Sequence, residues 1–110
     1  MIVVDVSLRA PIAVPVAIRD NARRVFRLAW NIGEEGVRLE RRLPFESGRP
    51  VEAWLRLPSG EALALAARIA AGGPDDEDAD AAGELTFIDP PGEARVALRR
   101  YVVERLGLPR

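Results

Sequence analysis

The chain has 110 residues, 48% hydrophobic and 30% charged, with a formal net charge of −1, which is the make-up of one globular domain over residues 1–110. It contains no cysteine and no histidine, so disulfides, thiolate metal sites, cysteine nucleophiles and serine–histidine triads are excluded. All sixteen basic residues are arginine, so neither a P-loop lysine nor a Schiff base can be built.

The first half carries strand signals. Ile12, Val14, Val16 and Ile18 share one face at period two, with Pro11 and Pro15 marking an edge or a strand start. Asp20-Asn21 is a tight turn. From Arg23 to Ile32 the chain alternates again, with Val25, Arg27 and Ala29 on one face and Phe26, Leu28 and Trp30 on the other. Asn31-Ile32-Gly33-Glu34-Glu35-Gly36 is a turn, and Val37-Arg38-Leu39-Glu40 alternates as a half-buried strand does. After the connection Leu43 to Pro50, Val51 to Leu57 alternates, and Pro58-Ser59-Gly60-Glu61 closes a hairpin. Ala62 to Ala70 carries two patterns. Alanine favours helix, but Leu63, Leu65, Ala67 and Ile69 recur at period two, and the return from a hairpin selects a strand. Core or barrel-rim packing is the expected place for Trp30 and Trp54.

Charge is unevenly spread. Residues 59–94 hold nine acids and one arginine, while residues 1–58 and 95–110 are net basic. Asp75-Asp76-Glu77-Asp78-Ala79-Asp80, flanked by glycine and alanine, reads as a flexible solvated loop over about 72–82. Its spacing does not match an EF-hand, and no metal site is expected. Glu84 to Ile88 is a short strand. Asp89-Pro90-Pro91-Gly92-Glu93 has the composition of a helix start. Ala94, Ala97, Leu98, Tyr101, Val102 and Leu106 then recur at helical spacing, Gly107 suits a C-cap, and Arg95, Arg99, Arg100 and Arg105 are expected to form a solvated face. About six strands followed by one amphipathic helix point to a mainly β barrel or sandwich covered by that helix. No apolar run reaches a membrane span, and Met1 to Asp5 lacks the positive start of a signal peptide. A cytoplasmic location is expected.

The order of elements resembles the PilZ domain. The segment Asn31 to Leu39 is similar to that family's acid-or-asparagine, apolar, serine, two-residue, glycine motif. Gly83-Glu84-Leu85-Thr86-Phe87-Ile88, followed by a helix with Leu98 and Tyr101, is similar to its tail, and Leu43-Pro44 and Gly48-Arg49-Pro50-Val51 fit between. The likeness runs from about Arg9 to Leu106. It implies a six-stranded antiparallel β-barrel with a C-terminal α-helix and a link to the second messenger cyclic di-GMP as a possible ligand; the carboxylates form no constellation with a nucleophile or metal set, so no enzymatic activity and no cofactor are expected. In the family an R-x-x-x-R pair before the first strand grips guanine and phosphate, a task suited to the guanidinium fork.

The resemblance places Arg9, Asn31, Gly33 and Gly36 at that ligand site, with two departures. Asp5 stands where the first arginine belongs, and Gly33 where the serine belongs. Losing one bidentate arginine costs about 1–3 kcal/mol of affinity, and losing the serine about 1 kcal/mol. The literal R-x-x-x-R at Arg19 to Arg23 brackets a turn only eight residues before Asn31, so it is not the equivalent pair. The expected function is a PilZ-type adaptor with a degenerate ligand site that acts on an unidentified protein partner. The alternatives are a genuine cyclic di-GMP receptor using Arg9 and Asn31, and a small nucleic-acid-binding barrel. Near-neutral charge and the acidic loop count against the last.

Overall fold

In the computed structural model, which describes residues 7–109, seven strands and one helix follow in chain order. They are β1 (Ala10–Pro11), β2 (Pro15–Arg19), β3 (Arg24–Ile32), β4 (Gly36–Leu39), β5 (Pro50–Arg56), β6 (Ala62–Ala71), β7 (Glu84–Phe87) and α1 (Gly92–Leu106). Every pairing is antiparallel, in the order β1-β3-β2-β5-β6-β7-β4, and β4 also pairs with β3. That last pairing closes a six-stranded barrel, and β1 is the extra strand. Closure leaves the barrel strands without a bare edge.

The segment Pro11 to Ile18 is not one strand. β1 and β2 lie along β3, where Ile32 pairs with Ala10 and Leu28 with Pro15. Pro11 and Pro15 have no N–H to donate, so regular pairing lapses between them. Single bonds, Ile12 N–H to Trp30 C=O and Ala29 N–H to Val14 C=O, span the gap. The expected inward face survives: Ile12, Val16 and Ile18 are buried and Val14 packs on them. Ala62–Ala71 is a strand, paired with β5 through the Pro58–Glu61 turn. Leu63, Leu65, Ala67 and Ile69 are its buried face, so barrel closure overrides the helical preference of alanine.

The tryptophans correct the sequence reading. Trp30 is 57% and Trp54 48% exposed, on the outer wall beside Phe26. The inward positions of β5 are Val51, Ala53 and Leu55, and β3 buries Ala29 and Ile32. The barrel interior is therefore filled by small and aliphatic side chains, and the bulky rings face out.

The helix begins two residues later than Asp89 suggests. Asp89 sits in a left-handed turn at φ 44°, the N-cap position falls to Pro91, and no side chain caps it. Gly107 ends the helix at φ 68°, its N–H donating to the carbonyls of Glu104 and Val103, as a left-handed C-cap requires. Ala94, Ala97 and Leu98 join the barrel residues in one buried cluster against which Tyr101 packs. Val103 is buried where Leu106 was expected, and Leu106 is 40% exposed. The helix spans the barrel end formed by the β3–β4 and β5–β6 turns. Arg99 reaches Glu34 in the first, and Arg100 lies 3.8 Å from Glu61 in the second.

The acidic segment sits at the other end, and its roots are held. Arg42 donates to the backbone carbonyls of Gly73 at 2.5 Å and Asp78 at 2.7 Å. Asp75 accepts from Ser47 N–H, and Asp76 from the N–H groups of Gly72 and Asp78. Those two amides hold the Asp76 carboxyl below its ordinary pKa. Among the described residues no helix is long and apolar enough to cross a membrane.

Candidate functional site

Arg9 leaves the chain just ahead of β1 and crosses the outside of the barrel. Its Nη1 donates to Asn31 Oδ1 at 3.2 Å and to Glu84 Oε1 at 2.9 Å. Strict alternation would set Trp30 and Asn31 on opposite faces. The β3–β4 register shifts between Ala29 and Asn31, so Asn31 stands opposite exposed Arg38. An irregularity of this kind re-aims side chains beside functional sites.

The two glycines form the floor. A Cβ at Gly36 would lie 2.2 Å from the Leu85 carbonyl oxygen and 3.2 Å from Arg9 Nη2. A Cβ at Gly33 would lie 2.3 Å from the Leu8 carbonyl oxygen and 3.2 Å from Arg9 Cγ. Close backbone approach, not a special φ, excludes side chains at both positions. Arg9, twenty-two residues before Asn31, therefore meets Asn31, Gly33 and Gly36 on one patch. The space a serine would need at position 33 is taken by the strand-leading backbone at Leu8. Asp5 lies outside the described residues.

Two functional neighbours were missed in the sequence. Glu84 pairs with Arg9, and the two side chains are only 27% (Arg9) and 35% (Glu84) exposed. Nothing local marks Glu84, because only the pairing of β7 with β4 brings it across the barrel wall. Glu34, between the two glycines, is the one buried charged residue among those described. Arg99 holds it with a bidentate grip, Nε to Oε2 at 3.1 Å and Nη2 to Oε1 at 3.0 Å. The Glu34 carboxylate raises the Arg99 pKa above the ordinary arginine value. Arg99 is thus a tie between helix and motif loop rather than part of a solvated face. The spacing of Glu34 and Arg99, sixty-five residues apart, leaves no sequence signal.

Beside Arg9 opens a cleft of about 480 Å³ lined by Glu34, Glu35, Thr86, Asp89 and Arg95. Of its carboxylates Glu34 is held by Arg99 and Asp89 lies 3.9 Å from Arg95, so its arginine charge, like that of Arg9, is already matched by acids.

Arg19 and Arg23 lie at the far end of β3, around the β2–β3 turn. Asp20 Oδ1 accepts from the N–H groups of Ala22 and Arg23, which hold its carboxyl below the ordinary range. Arg19 pairs with Glu52 at 2.8 Å and Arg49 with Asp20 at 2.7 Å. The cleft there is larger, about 620 Å³, but its arginines Arg19 and Arg49 are already paired with these acids.

The family described as PilZ domain matches residues 7–104. Among solved structures, the Bacillus subtilis inhibitor of motility (MotI/DgrA) superposes with a TM-score of 0.75 at 20% identity, over 89% of this chain and 49% of that one. This chain therefore spans about half the length of that protein. The PilZ domain of CeSA from a cellulose-synthesizing bacterium superposes with a TM-score of 0.63 at 21% identity, over 89% of this chain and 97% of that one. No curated protein matches the chain.

Proposed function

The chain belongs to the PilZ domain family, and on that premise we propose that it is a cyclic di-GMP-linked signalling module that acts by contact with a partner protein and keeps only a degenerate ligand site. The observation that carries this reading is the state of Arg9. Its guanidinium is already neutralised by Glu84 and bonded to Asn31, and the Leu8 carbonyl oxygen occupies the space that any Cβ at position 33 would need. A dinucleotide has to displace an ion pair before it gains the arginine. It then meets Glu35 and Asp89 in the adjoining cleft, where Glu34 is already held by Arg99. Each lost contact costs about 1–3 kcal/mol, or one to two decades of affinity. Calorimetric titration with cyclic di-GMP is expected to give a dissociation constant weaker than about 10 μM. Submicromolar binding overturns the degenerate-site reading.

A second reading, a genuine receptor, is favoured by the assembly of Arg9, Asn31, Gly33 and Gly36 on one patch. In that case Glu84 is a gate, and Glu84→Gln tightens binding while Arg9→Ala abolishes it. Arg19→Ala leaves it unchanged. A loss with Arg19→Ala in place of Arg9→Ala would show that the wrong arginine has been assigned.

A further inference from the structure

The outer wall of β2, β3, β5 and β6 lies away from Arg9 and carries large apolar groups in cross-strand register. Phe26 pairs with Ala17, Ala17 with Trp54, and Trp54 with Ala64. The two rings therefore stand two strand spacings apart, about 10 Å, over a floor of one alanine methyl. That gap admits one apolar side chain between them. Phe26 is 58% exposed, and Leu28 extends the row along β3. On the far side of Trp54 the outward positions of β6 include Ala62, Ala64 and Ala66, a flat shelf of methyl groups bordered by Arg56, Glu52 and Arg68. A contiguous apolar surface of this kind on a barrel that has no core to spare for it is the mark of an interface.

The charge around it is one-sided. Arg19, Arg24, Arg56 and Arg68 face out from these strands against the single carboxylate of Glu52. Glu52 already accepts from Arg19 and from Trp54 Nε1. The guanidinium of Arg24 lies over the Phe26 ring, 5.5 Å from its centre, and that of Arg19 over Trp54 at 5.8 Å, so each ring carries a cation beside its apolar face. A second copy packed face to face would set like charges together.

We propose that this wall docks an acidic segment of another protein, with a large apolar side chain seated between Phe26 and Trp54 above Ala17 and flanking carboxylates on Arg24 and Arg56. This names the contact surface of the adaptor reading and rests on it. Its test does not involve cyclic di-GMP, so tight ligand binding at Arg9 would end the degenerate-site reading and leave this surface standing.

The experiment pans a displayed library of random peptides against the protein, with Trp54→Ser as the counter-target. Enriched peptides are then measured by fluorescence polarisation. Trp54 and Arg24 are exposed, so Trp54→Ser and Arg24→Glu should keep the wild-type melting temperature, which is the folding control. Expected are sequences that combine aspartate or glutamate with leucine, phenylalanine or tryptophan. Their binding should weaken at least about fivefold in either variant, and similarly when salt rises from about 0.05 to 0.5 M. Enrichment of basic peptides, of peptides indifferent to both variants, or of none overturns the proposal. Tighter binding of oligothymidylate than of any peptide, lost in Trp54→Ser, also overturns it and makes the wall a nucleic-acid platform. A concentration-dependent dimer abolished by Trp54→Ser overturns it in favour of self-association.

Discussion

A serine restored at position 33 would put its Cβ against the Leu8 carbonyl oxygen at 2.3 Å, so the departure from the family motif cannot be reversed by one substitution. Gly33→Ser is expected to destabilise by about 1–3 kcal/mol, the usual range for overpacking against backbone, with no gain in affinity for cyclic di-GMP. Urea unfolding and calorimetry read the two effects. An unchanged midpoint together with tighter binding would show that the Leu8 segment moves aside freely. The Glu34–Arg99 pair makes a second case at this scale. The Glu34 side chain is 8% exposed, and its carboxylate loses its only bidentate partner in Arg99→Ala. That variant is expected to unfold at a lower urea concentration than Arg105→Ala, whose side chain is exposed in the last turn. The double variant Glu34→Gln, Arg99→Ala should lose less than the two single losses added together, because the second change removes the stranded charge.

At the scale of elements, α1 is bound to the barrel by a narrower set of contacts than its sequence period suggests. Leu98 is fully buried in the common cluster, while Leu106 is 40% exposed. Leu98→Ala is expected to cost about 2–5 kcal/mol and Leu106→Ala under about 0.5 kcal/mol, both by urea unfolding. Equal small losses would mean that the helix is not part of the core. Tyr101 adds a polar tie, its hydroxyl donating to the Pro11 carbonyl at 2.5 Å. Strand existence was legible because buried positions recur at period two in β2, β5 and β6. The break between β1 and β2 was half legible: the prolines mark it, but single bonds to β3 carry the chain across.

For the whole molecule, acid is the stress that matters. With no histidine or cysteine, these side chains supply no titration between about pH 5 and 8. Backbone amides depress the carboxyls of Asp20 and Asp76, Arg19 depresses Glu52, and Ser59 depresses Glu61. In each, the folded state releases its proton at a lower pH than the unfolded chain. Their stabilisation is therefore complete above the ordinary carboxylate values of about 4 to 4.5 and is lost as pH falls through the folded values. The melting temperature is expected to be flat from pH 8 to about 5 and to drop below about 4.5. A step near pH 6 to 7 would contradict this assignment.

The sequence by itself determined the class of fold, the two faces of each strand and the C-cap at Gly107, each of which follows from local period or turn chemistry, while the cluster Arg9, Asn31, Gly33 and Gly36 was legible only through the resemblance to the PilZ family. Only the tertiary structure decided which face of β3 is inside. Alternation divides Phe26, Leu28 and Trp30 from Val25, Arg27 and Ala29 but is symmetric between them. Register with β2 and β4 breaks that symmetry by placing Ala29 opposite Leu39 and Phe26 opposite Ala17. The partners of the site were decided in the same way. Glu84 meets Arg9 across seventy-five residues and Arg99 meets Glu34 across sixty-five. A contact made by closing a barrel depends on where two distant strands come to lie side by side, and no spacing along the chain records that.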